Sequence, residues 1–576
     1  MSATPASRPP GLRQRWQDYQ RTALGEDLVA AVIVTILLVP QSLAYAMLAG
    51  LPPVVGVMAS LLPIAAYAAF GSSSTLAVGP VAVISMMTAQ AIGEVSTVHG
   101  LAPHLAAVVL ALEIGALLLL AALLRLETLA ALLSAPVLHG FITGASLIIA
   151  LGQLPTLLGI QAGGNTVVEL FTELAHSSQP LPHPMTALIG LLALLSLWLL
   201  RRYGSRSLQR LGCSASRAQL LARTTPIFVV ALSMLWIAGF PALNEGVALA
   251  GRIRIDEALA FPLPWQAPLA VWEILFAPAA LLALVAYVES LAVAEALGSR
   301  RGEKISPRRE LYGLAAANTA AGLSGGMPVT GGFSRSIVNF DAGARTRLAG
   351  VWTAVLLALV IALFGNILEH LPRSVLAATI IIAVLSLIDL APFRLAWRHS
   401  RTEFLLMLLV SVLTLAVGVK EALLVGVVSA IGILLQRTAR PHWTEVGRLA
   451  GSEIFRNVNR FEVETQPHVL SIRVDESLVF TNSRWISETL ASAMIQRPQL
   501  RHVVLMMSGV NGIDLTGLEV LIGLNRELQE HNIRLHLSEL KGPVRDRLQR
   551  SGLEEWLTGQ IFMTQAEAWK AMEETV

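Results

Sequence analysis

Long apolar runs dominate the chain. Stretches of about 18 residues or more, the length needed to cross the hydrocarbon core of a bilayer, recur from about Leu28 to Leu435. Only 14% of the 576 residues are charged, and the mean hydropathy is +0.63. These values exclude an ordinary soluble enzyme. The chain is therefore predicted to be a polytopic α-helical membrane protein.

The apolar region, residues 27–437, divides into fourteen predicted transmembrane segments, several of them short. They lie near 27–48, 51–70, 77–95, 103–124, 128–152, 186–201, 224–240, 271–298, 308–324, 328–342, 346–368, 373–388, 402–418 and 420–437. Lys and Arg concentrate in every second connection, so the positive-inside rule places both ends of the chain in the cytoplasm. The N-terminal arm, 1–26, lacks the apolar core of a cleaved signal peptide, and insertion is expected to rely on the first span.

The apolar region contains a weak internal repeat. At an offset of 248 residues, QSLAYAMLAG (41–50) aligns with ESLAVAEALG (289–298), and Pro80-Val81 aligns with Pro328-Val329. An offset of seven spans is odd, so the two halves, about 27–240 and 271–437, would cross the membrane in opposite senses. Such inverted repeats bind substrate near the midplane, where broken helices meet. The alternative is that these prolines only kink continuous helices.

The segment Ser324–Val338, SGGMPVTGGFSRSIV, is an apolar stretch broken by glycines and one proline. Together with its repeat partner it predicts two half-helices, which begin near Ala77–Pro80 and near Met327–Val329 and face a shared cavity. The first N–H groups of a helix have no intrahelical partners, and the helix dipole is positive at that end. Two such ends are predicted to hold an anion.

Arg335 is the most costly residue in the spanning region, because a guanidinium at membrane depth requires a partner, water or a function. Ser334 beside it offers a hydroxyl group, and Gly331 and Gly332 would let a ligand approach the backbone. We therefore place Arg335 in the anion site. The alternative is a structural arginine that snorkels or forms a salt bridge.

Glu289 is the second charged residue at membrane depth, with Glu295 nearer the cytoplasmic end of the same span. A carboxyl group in this environment is typical of a proton-coupling residue. It could equally be an ion-pair partner of Arg335, and the two roles are compatible. A sodium site requires several oxygen ligands. Val293, one turn after Glu289, offers none, so the sequence favours protons over sodium.

Gln41 occupies the repeat position of Glu289, and Tyr45 lies one turn further on the same face. Both could close the site from the first span, or simply pack. Glu113 is a further buried carboxyl group without an assigned role.

No cofactor or metal is predicted, because four histidines show no ligand spacing: His99, His104, His139 and His183. The sequence has no ATP-binding or hydrolase motif, so the chain is not expected to be an enzyme. Transport would have to be driven by ion gradients. A net charge of +3 without a basic stripe argues against nucleic-acid binding.

The tail has a different composition. Residues 438–460 are interpreted as a linker and 461–576 as a soluble domain. VLSIRV, LVFT, HVVLMM and IRLHLSEL have strand-like patterns, while Arg484–Ile495, Leu515–His531 and the segments after Lys541 have helical spacing. This alternation predicts an α/β domain. Asp514 is the predicted N-cap of its second helix.

Several segments resemble the sulfate permease family, the bacterial relatives of the SLC26 anion transporters. They are VPQSLAYAMLAGLPPVVG, GSSSTLAVGPVAV and GGMPVTGGFSRSIVNFDAGARTRLAG, and the tail segment VVLMMSGVNGIDLTGLEVL resembles a STAS domain. The resemblance covers nearly the whole chain. It implies a seven-plus-seven inverted repeat divided into core and gate domains, an elevator-like movement, a homodimer, and an anion held between the third and tenth half-helices. Related STAS domains carry a phosphorylatable serine, and Thr516 stands near that position here.

The candidate anion-binding residues come from the first, third and tenth spans. They are Gln41, Tyr45, Val78, Gly79, Pro80, Val81, Pro328, Gly332, Phe333, Ser334 and Arg335, with Glu289 as the proton-coupling residue and Asp514 and Thr516 as candidate regulatory residues. Proton-coupled sulfate uptake across a bacterial inner membrane is the favoured function. Sodium-coupled bicarbonate uptake and dicarboxylate transport are alternatives. A third alternative is a sensor or scaffold whose STAS tail binds a cytosolic partner. A nucleobase symporter is a weaker option, because Arg335 would lack an anionic partner.

Overall fold

The structure is a computed structural model. It describes residues 19, 22–128, 134–160, 162, 166–176, 181–210, 212, 214–241, 245–251, 264–365, 367–483, 485, 488, 497–552, 555 and 557–573. Most of the predicted arm 1–26, and most of the predicted helix Arg484–Ile495, lie outside these residues. The chain divides into two compact units, Met1–Ala430 and Ile431–Val576.

Among the described residues, the first half of the membrane unit contains ten α-helices and one short strand. They are α1 (Leu24–Leu48), α2 (Pro53–Met58), α3 (Leu62–Phe70), β1 (Val78–Gly79), α4 (Ala82–His99), α5 (Pro103–Leu123), α6 (Ala135–Gly152), α7 (Leu154–Leu158), α8 (Val167–His176), α9 (Pro184–Arg210) and α10 (Ala215–Gly239) among the described residues. Proline stands in the first turn of α2, α3, α5, α6 and α7, where its missing N–H costs no hydrogen bond.

The second half also consists of helices and one short strand. Its described α-helices and strand are α11 (Leu269–Arg301), α12 (Pro307–Leu323), β2 (Thr330–Gly331), α13 (Phe333–Asp341), α14 (Leu348–Phe364), α15 (Arg373–Leu385), α16 (Ala391–His399), α17 (Arg401–Ala416) and α18 (Val419–Ala439). In the described part of the chain, seven helical segments have the length and apolarity to cross a membrane, and three shorter apolar helices accompany them. The count of fourteen spans and the inverted repeat remain predictions.

The two half-helices begin later than the sequence indicated. The predicted starts near Ala77–Pro80 and Met327–Val329 are wrong, because α4 begins at Ala82 and α13 at Phe333. The preceding residues are extended and form β1 and β2. Proline lacks the N–H that a helix interior needs, and it restricts the residue before it to extended conformations. The chain therefore crosses the centre of the unit as strand and then turns into helix.

The membrane helices pack in two groups. In one, α5 and α3 pack against α12, α11 packs against α5 and α4, and α14 packs against α1 and α3. In the other, α17 packs against α6, and α9 packs against α10, α15 and α7. Small residues allow these close approaches, as membrane helices require. A Cβ on Gly115 would lie 2.5 Å from Thr319 Oγ1, and one on Gly140 would lie 2.5 Å from the carbonyl oxygen of Met407.

The C-terminal unit is an α/β domain with a six-stranded sheet. Its strands are β3 (Trp443–Arg448), β4 (Phe455–Asn457), β5 (Val469–Val474), β6 (His502–Met506), β7 (Arg534–Ser538) and β8 (Ile561–Phe562), in the order β4-β3-β5-β6-β7-β8. Strands β5 to β8 are parallel, and β3 is antiparallel to both of its neighbours. The described helices are α19 (Leu515–Glu530), α20 (Gly542–Arg550) and α21 (Gln565–Glu573).

Two predictions for the tail differ from the structure. LVFT (478–481) is not a strand, because only Leu478 forms an isolated bridge, to Ile513. Strands β3 and β4 lie inside 438–460, which was interpreted as a linker. Their mixture of buried and partly exposed residues is typical of half-buried strands. The N-cap at Asp514 is confirmed, since its side chain accepts a hydrogen bond from the N–H of Gly517 at 2.8 Å.

Candidate anion-binding site

The two short strands pair in the interior of the membrane unit. β1 and β2 pair antiparallel, with Val78 opposite Gly331 and Gly79 opposite Thr330. The pairing continues into the start of α13, because the N–H of Gly332 donates to the carbonyl oxygen of Ala77 at 3.1 Å. The N–H of Ala77 in turn donates to Ser336 Oγ at 2.9 Å. The two halves of the unit are therefore joined by hydrogen bonds at this junction.

Polar side chains from α11 and α12 hold β2 in place. Ser290 Oγ accepts the N–H of Gly331 at 2.8 Å and lies 2.8 Å from Thr330 Oγ1. Asn318 pairs with both backbone groups of Val329, each at 3.0 Å. Non-helical backbone is tolerated at membrane depth only when its polar groups are paired or line a cavity. These side chains supply that pairing.

Both half-helices begin without a side-chain cap. The N-cap residues of α4 and α13 are Val81 and Gly332, and in the described part of the chain neither helix has a side-chain cap hydrogen bond. The first intrahelical bonds are from Ser85 to Val81 and from Ser336 to Gly332. The N–H groups before them, together with the positive ends of both helix dipoles, create an electropositive centre. Such a centre is suited to an anion.

Arg335 places a positive charge at this centre. Its side chain is 3% exposed, and its Nη2 donates to the carbonyl oxygen of Pro80 at 2.8 Å. This bond brings the guanidinium from α13 to the residue pair that precedes α4. Nη1 is buried and has no hydrogen-bond partner among the described residues. A buried guanidinium donor that is left over is available for a ligand.

Two glycines make room for the guanidinium. A Cβ on Gly79 would lie 3.0 Å from Arg335 Nη1, and one on Gly332 would lie 3.1 Å from Nε and Nη2. Gly79 also has a φ of +157°, which L side chains rarely adopt. Any larger residue at position 79 would displace the cationic group.

Glu289 and Tyr45 lie within electrostatic range of Arg335. In the described part of the chain, Glu289 forms no salt bridge with Arg335, and its buried Oε2 has no hydrogen-bond partner. Tyr45 is 8% exposed, and Gln41 is half-buried one turn earlier on α1. The structure thus places Tyr45 and Glu289 within electrostatic range of Arg335, while a direct salt bridge between the two charges, the alternative role of Glu289, is not formed among the described residues.

The remaining predicted residues fall into two sets. Val78, Gly79, Pro80, Val81, Pro328 and Gly332 are buried at the junction. Phe333 and Ser334 are exposed in the first turn of α13. Glu113 is buried at 7% exposure, Glu295 is exposed, and neither joins the site in any recorded contact. No group of three metal-ligating side chains occurs among the described residues.

Sequence reasoning missed the residues that support the site. Ser290, Asn318, Ser336 and Asn339 are buried and bond the backbone of the junction. The sequence did contain one indication of their role, namely that they are polar residues in apolar segments. Such residues are costly in a membrane unless they have a hydrogen-bond partner. This indication is weak, because serine is common in membrane helices and so does not by itself mark a site.

The candidate regulatory residues lie at the start of α19 in the C-terminal unit. The Asp514 carboxylate accepts the N–H groups of Gly517 and Phe480, both at 2.8 Å. Thr516 is exposed. Asp514 is therefore engaged in capping, and Thr516 is accessible to a modifying protein.

Comparison with known proteins gives the family. The profile of the Sulfate permease family matches residues 24–410. The chain belongs to the sulfate permease family. The STAS domain profile matches residues 460–568. A probable sulfate transporter of Mycobacterium tuberculosis is 32% identical over 97% of this chain and 97% of that protein. The chloroplastic sulfate transporter 4.1 of Arabidopsis thaliana is 29% identical over 95% of this chain and 79% of that protein.

Solved structures confirm the fold. The murine Solute Carrier 26 family member A9 anion transporter, in the inward-facing state, aligns with a TM-score of 0.86 at 18% identity over 99% of this chain and 96% of that chain. The transmembrane domain of a cyanobacterium bicarbonate transporter, BicA, aligns with a TM-score of 0.59 at 21% identity over 71% of this chain and 97% of that chain. This sulfate permease family member is thus a multi-pass membrane protein with a C-terminal STAS domain, and its family consists of transporters rather than enzymes.

Proposed function

We propose that this protein is a secondary active transporter that takes up sulfate together with protons. The observation that carries the proposal is the junction of β1 and β2. There, two uncapped helix N-termini and the free Nη1 of Arg335 meet in a buried, electropositive centre. Sulfate has the charge and the oxygen acceptors that such donors recognise. The sulfate transporters among the relatives support the choice of anion.

Glu289 is the proposed proton carrier. Its Oε2 has no hydrogen-bond partner among the described residues and lies within electrostatic range of Arg335. A proton on Glu289 removes a negative charge beside the incoming anion, so loading of both becomes mutually favourable. Co-transport of a proton also lowers the cost of moving a dianion against the membrane potential, which is about 2.3 kcal/mol per charge per 100 mV.

The site would move with one group of helices against the other. Arg335 and the junction belong to the group that contains α1, α4, α11 and α13, whereas α6, α9, α10 and α17 form the second group. An elevator-like displacement of the first group would carry the anion between the two sides of the membrane. The protein is proposed to act as a homodimer in a bacterial inner membrane, in contact with lipid and with the STAS domain in the cytoplasm. The STAS domain could bind a cytosolic partner.

Radiolabelled sulfate uptake into proteoliposomes tests the proposal. An inward proton gradient should drive accumulation, and Glu289→Gln should abolish the dependence on the gradient while sulfate binding persists. Glu295→Gln is the matched control, because Glu295 lies on the same helix but is exposed. Unchanged pH-driven accumulation in the Glu289→Gln protein would refute the role of Glu289.

Sodium-coupled bicarbonate transport is the second candidate. The structural likeness to a cyanobacterium bicarbonate transporter favours including it, although a likeness at 21% identity concerns the fold. The same vesicles, loaded with labelled bicarbonate or fumarate under a sodium gradient at constant pH, distinguish the two. Accumulation driven by sodium alone would decide against proton-coupled sulfate uptake.

A sensor or scaffold function is the third candidate, in which the STAS domain is the working part. Removal of residues after 445 separates it from transport. A transporter should retain part of its flux, whereas a scaffold would lose its activity.

A further inference from the structure

The loop between α3 and β1, residues 71–77, is held by carboxylates from the opposite half of the membrane unit. Glu310 on α12 is 0% exposed. Its Oε1 accepts the N–H and the hydroxyl of Ser72 at 2.8 and 2.6 Å and the N–H of Ser73 at 3.1 Å. Its Oε2 accepts the Tyr67 hydroxyl at 2.7 Å. One buried carboxyl group therefore receives four hydrogen bonds.

A second carboxylate extends this contact along the loop. Glu303 accepts the N–H and the hydroxyl of Ser74 at 3.0 and 2.7 Å. At the other end of the loop, Asn339 Nδ2 donates to the carbonyl oxygen of Thr75 at 3.0 Å. The loop is thus held at its start by α12 and at its end by α13. Residue 78, where β1 begins, follows directly.

The packing around the loop leaves little freedom. A Cβ on Gly313 of α12 would lie 2.7 Å from the Cα of Gly71, and one on Gly71 would lie 2.4 Å from the Tyr67 ring. Arg309 Nη2 also donates to the carbonyl oxygen of Gly71 at 3.0 Å. A buried carboxylate contributes little net stability compared with an apolar group of similar size. Its value here lies in specifying one arrangement of an irregular loop.

We propose that Glu310 is a positioning residue for the anion site. It fixes the loop that leads into β1, so it sets where the carbonyl oxygen of Pro80 meets Arg335 and where the N-terminus of α4 points. It does not touch the anion. This inference rests on the proposed function only in that an anion must bind at the junction, and it does not depend on which ion drives transport.

Two substitutions at position 310 separate geometry from charge. Glu310→Gln keeps an oxygen that can accept from Ser72 and Ser73, and its amide can donate to the Tyr67 hydroxyl oxygen. Glu310→Leu removes all four bonds at similar volume. We expect the KM for sulfate to stay within about threefold in the Gln variant and to rise about tenfold in the Leu variant. The maximal rate per folded protein should change less than the KM.

The test is sulfate uptake kinetics combined with sulfate-dependent thermal protection of the purified full chain. A Leu variant that folds with an unchanged KM would overturn the proposal. Equal losses in the Gln and Leu variants would also overturn it, because charge rather than positioning would then be the cause. If the Leu protein does not fold, Ser72→Ala replaces it, with an expected KM increase of about threefold and an unchanged KM as the contrary result.

Failure of the proposed function is distinguishable from failure of this inference. A wild-type protein without saturable sulfate uptake contradicts sulfate transport but leaves Glu310 untouched. The same variants are then measured with whichever anion the wild type accumulates from a panel of sulfate, bicarbonate, fumarate and chloride.

Discussion

Two buried polar groups in this protein differ in how completely their atoms are paired. At the half-helix junction, Arg335 Nη1 and Glu289 Oε2 have no partner among the described residues. In the C-terminal sheet, His502 and His536 lie on neighbouring strands, with His502 Nδ1 and His536 Nε2 3.1 Å apart. The N–H of Gln560 donates to His536 Nδ1 at 3.0 Å, so His536 Nε2 carries the proton and donates to His502.

The difference indicates what each group is for. A polar group that is buried and fully paired stabilises one fold, whereas one that is buried with spare donors is available to a ligand. The histidine pair is close to the first description, because the two rings bond each other and His536 also bonds the backbone of Gln560, and the junction fits the second. Substitutions in the junction should therefore change anion binding more than stability, and substitutions in the histidine pair should do the reverse.

The largest expected effect is that of Arg335→Ala. Loss of the buried cation should weaken sulfate binding about 1,000-fold, because a desolvated charged partner is removed. Arg335→Lys should be intermediate, since a single ammonium group cannot replace the planar guanidinium that spans Pro80 and the anion. Sulfate-dependent thermal protection measures both, with Arg394→Ala on the exposed face of α16 as control. Wild-type affinity in the Arg335→Ala protein would mean that the helix N-termini bind the anion alone.

The second effect concerns acid stability of the C-terminal unit. Burial, together with the charges of His502 and Arg534, lowers the pKa of His536 from 6.5 to about 4. The unfolded chain therefore takes up a proton before the folded one does, and stability is lost as the pH falls from 6.5 towards 4. Over that window the loss is about 3 kcal/mol. Above pH 6.5 the contribution is constant.

Replacing the ring tests this contribution. His536→Asn should flatten the pH dependence between 6.5 and 4, with the amide oxygen still able to accept from Gln560. The urea midpoint for protease protection of residues 443–573, measured in the full-length protein at several pH values, reports the effect. His531→Gln, at an exposed position between α19 and β7, is the control. An unaltered pH slope in the Asn variant would assign the acid sensitivity to other groups.

The third effect returns to the junction. Gly79→Ala places a Cβ 3.0 Å from Arg335 Nη1 at a φ of +157°. The guanidinium must shift, and sulfate affinity should fall about tenfold. Gly100→Ala is a matched control, because Gly100 ends the same helix α4 at a φ of +63° with nothing within 4 Å of its Cβ position. The Gly100→Ala variant has a side chain at a positive φ but no contact with Arg335. Similar losses of sulfate affinity in both variants would therefore show that backbone strain alone is responsible.

Parts of this site were predictable because their chemistry is visible in single residues. A charged residue in an apolar segment, such as Arg335 or Glu289, stands out without knowledge of the fold, and so do the prolines that interrupt the helices. The strand pairing between Val78 and Gly331 could not be predicted. Two residues of extended backbone leave no periodicity, and their partners lie more than 250 positions apart in the sequence.

The buried support of the site was also out of reach. Glu310 stands among arginines near the end of a span, where a solvated charge is the usual interpretation. Only the fold shows that Tyr67, Ser72 and Ser73 all donate to it. In the tail, β5, β6 and β7 were predictable from apolar strand patterns. β3 and β4 were missed because their charged residues resemble those of a linker.

The smallest expected effect concerns the N-caps of helices, which differ between the two units. Asp514 caps α19 through Oδ1, which accepts the N–H of Gly517, while its Oδ2 accepts the N–H of Phe480 outside the helix. Within the described residues, α4 and α13 have no such cap. Asp514→Ala should therefore lower the stability of the C-terminal unit by about 1 kcal/mol, and Asp514→Asn should lower it less, because one amide oxygen remains as an acceptor.

The same protease-protection assay measures the change, and sulfate transport by the folded fraction should be unaffected. If Asp514 instead contributed to transport, both variants would bind sulfate more weakly and their stability would be unchanged. The reciprocal substitution sharpens the contrast. Val81→Asp supplies α4 with a carboxylate at its N-cap, and this should compete with the anion for the first-turn N–H groups, so that sulfate affinity falls. If affinity were retained, the uncapped start of α4 would not be part of the anion site.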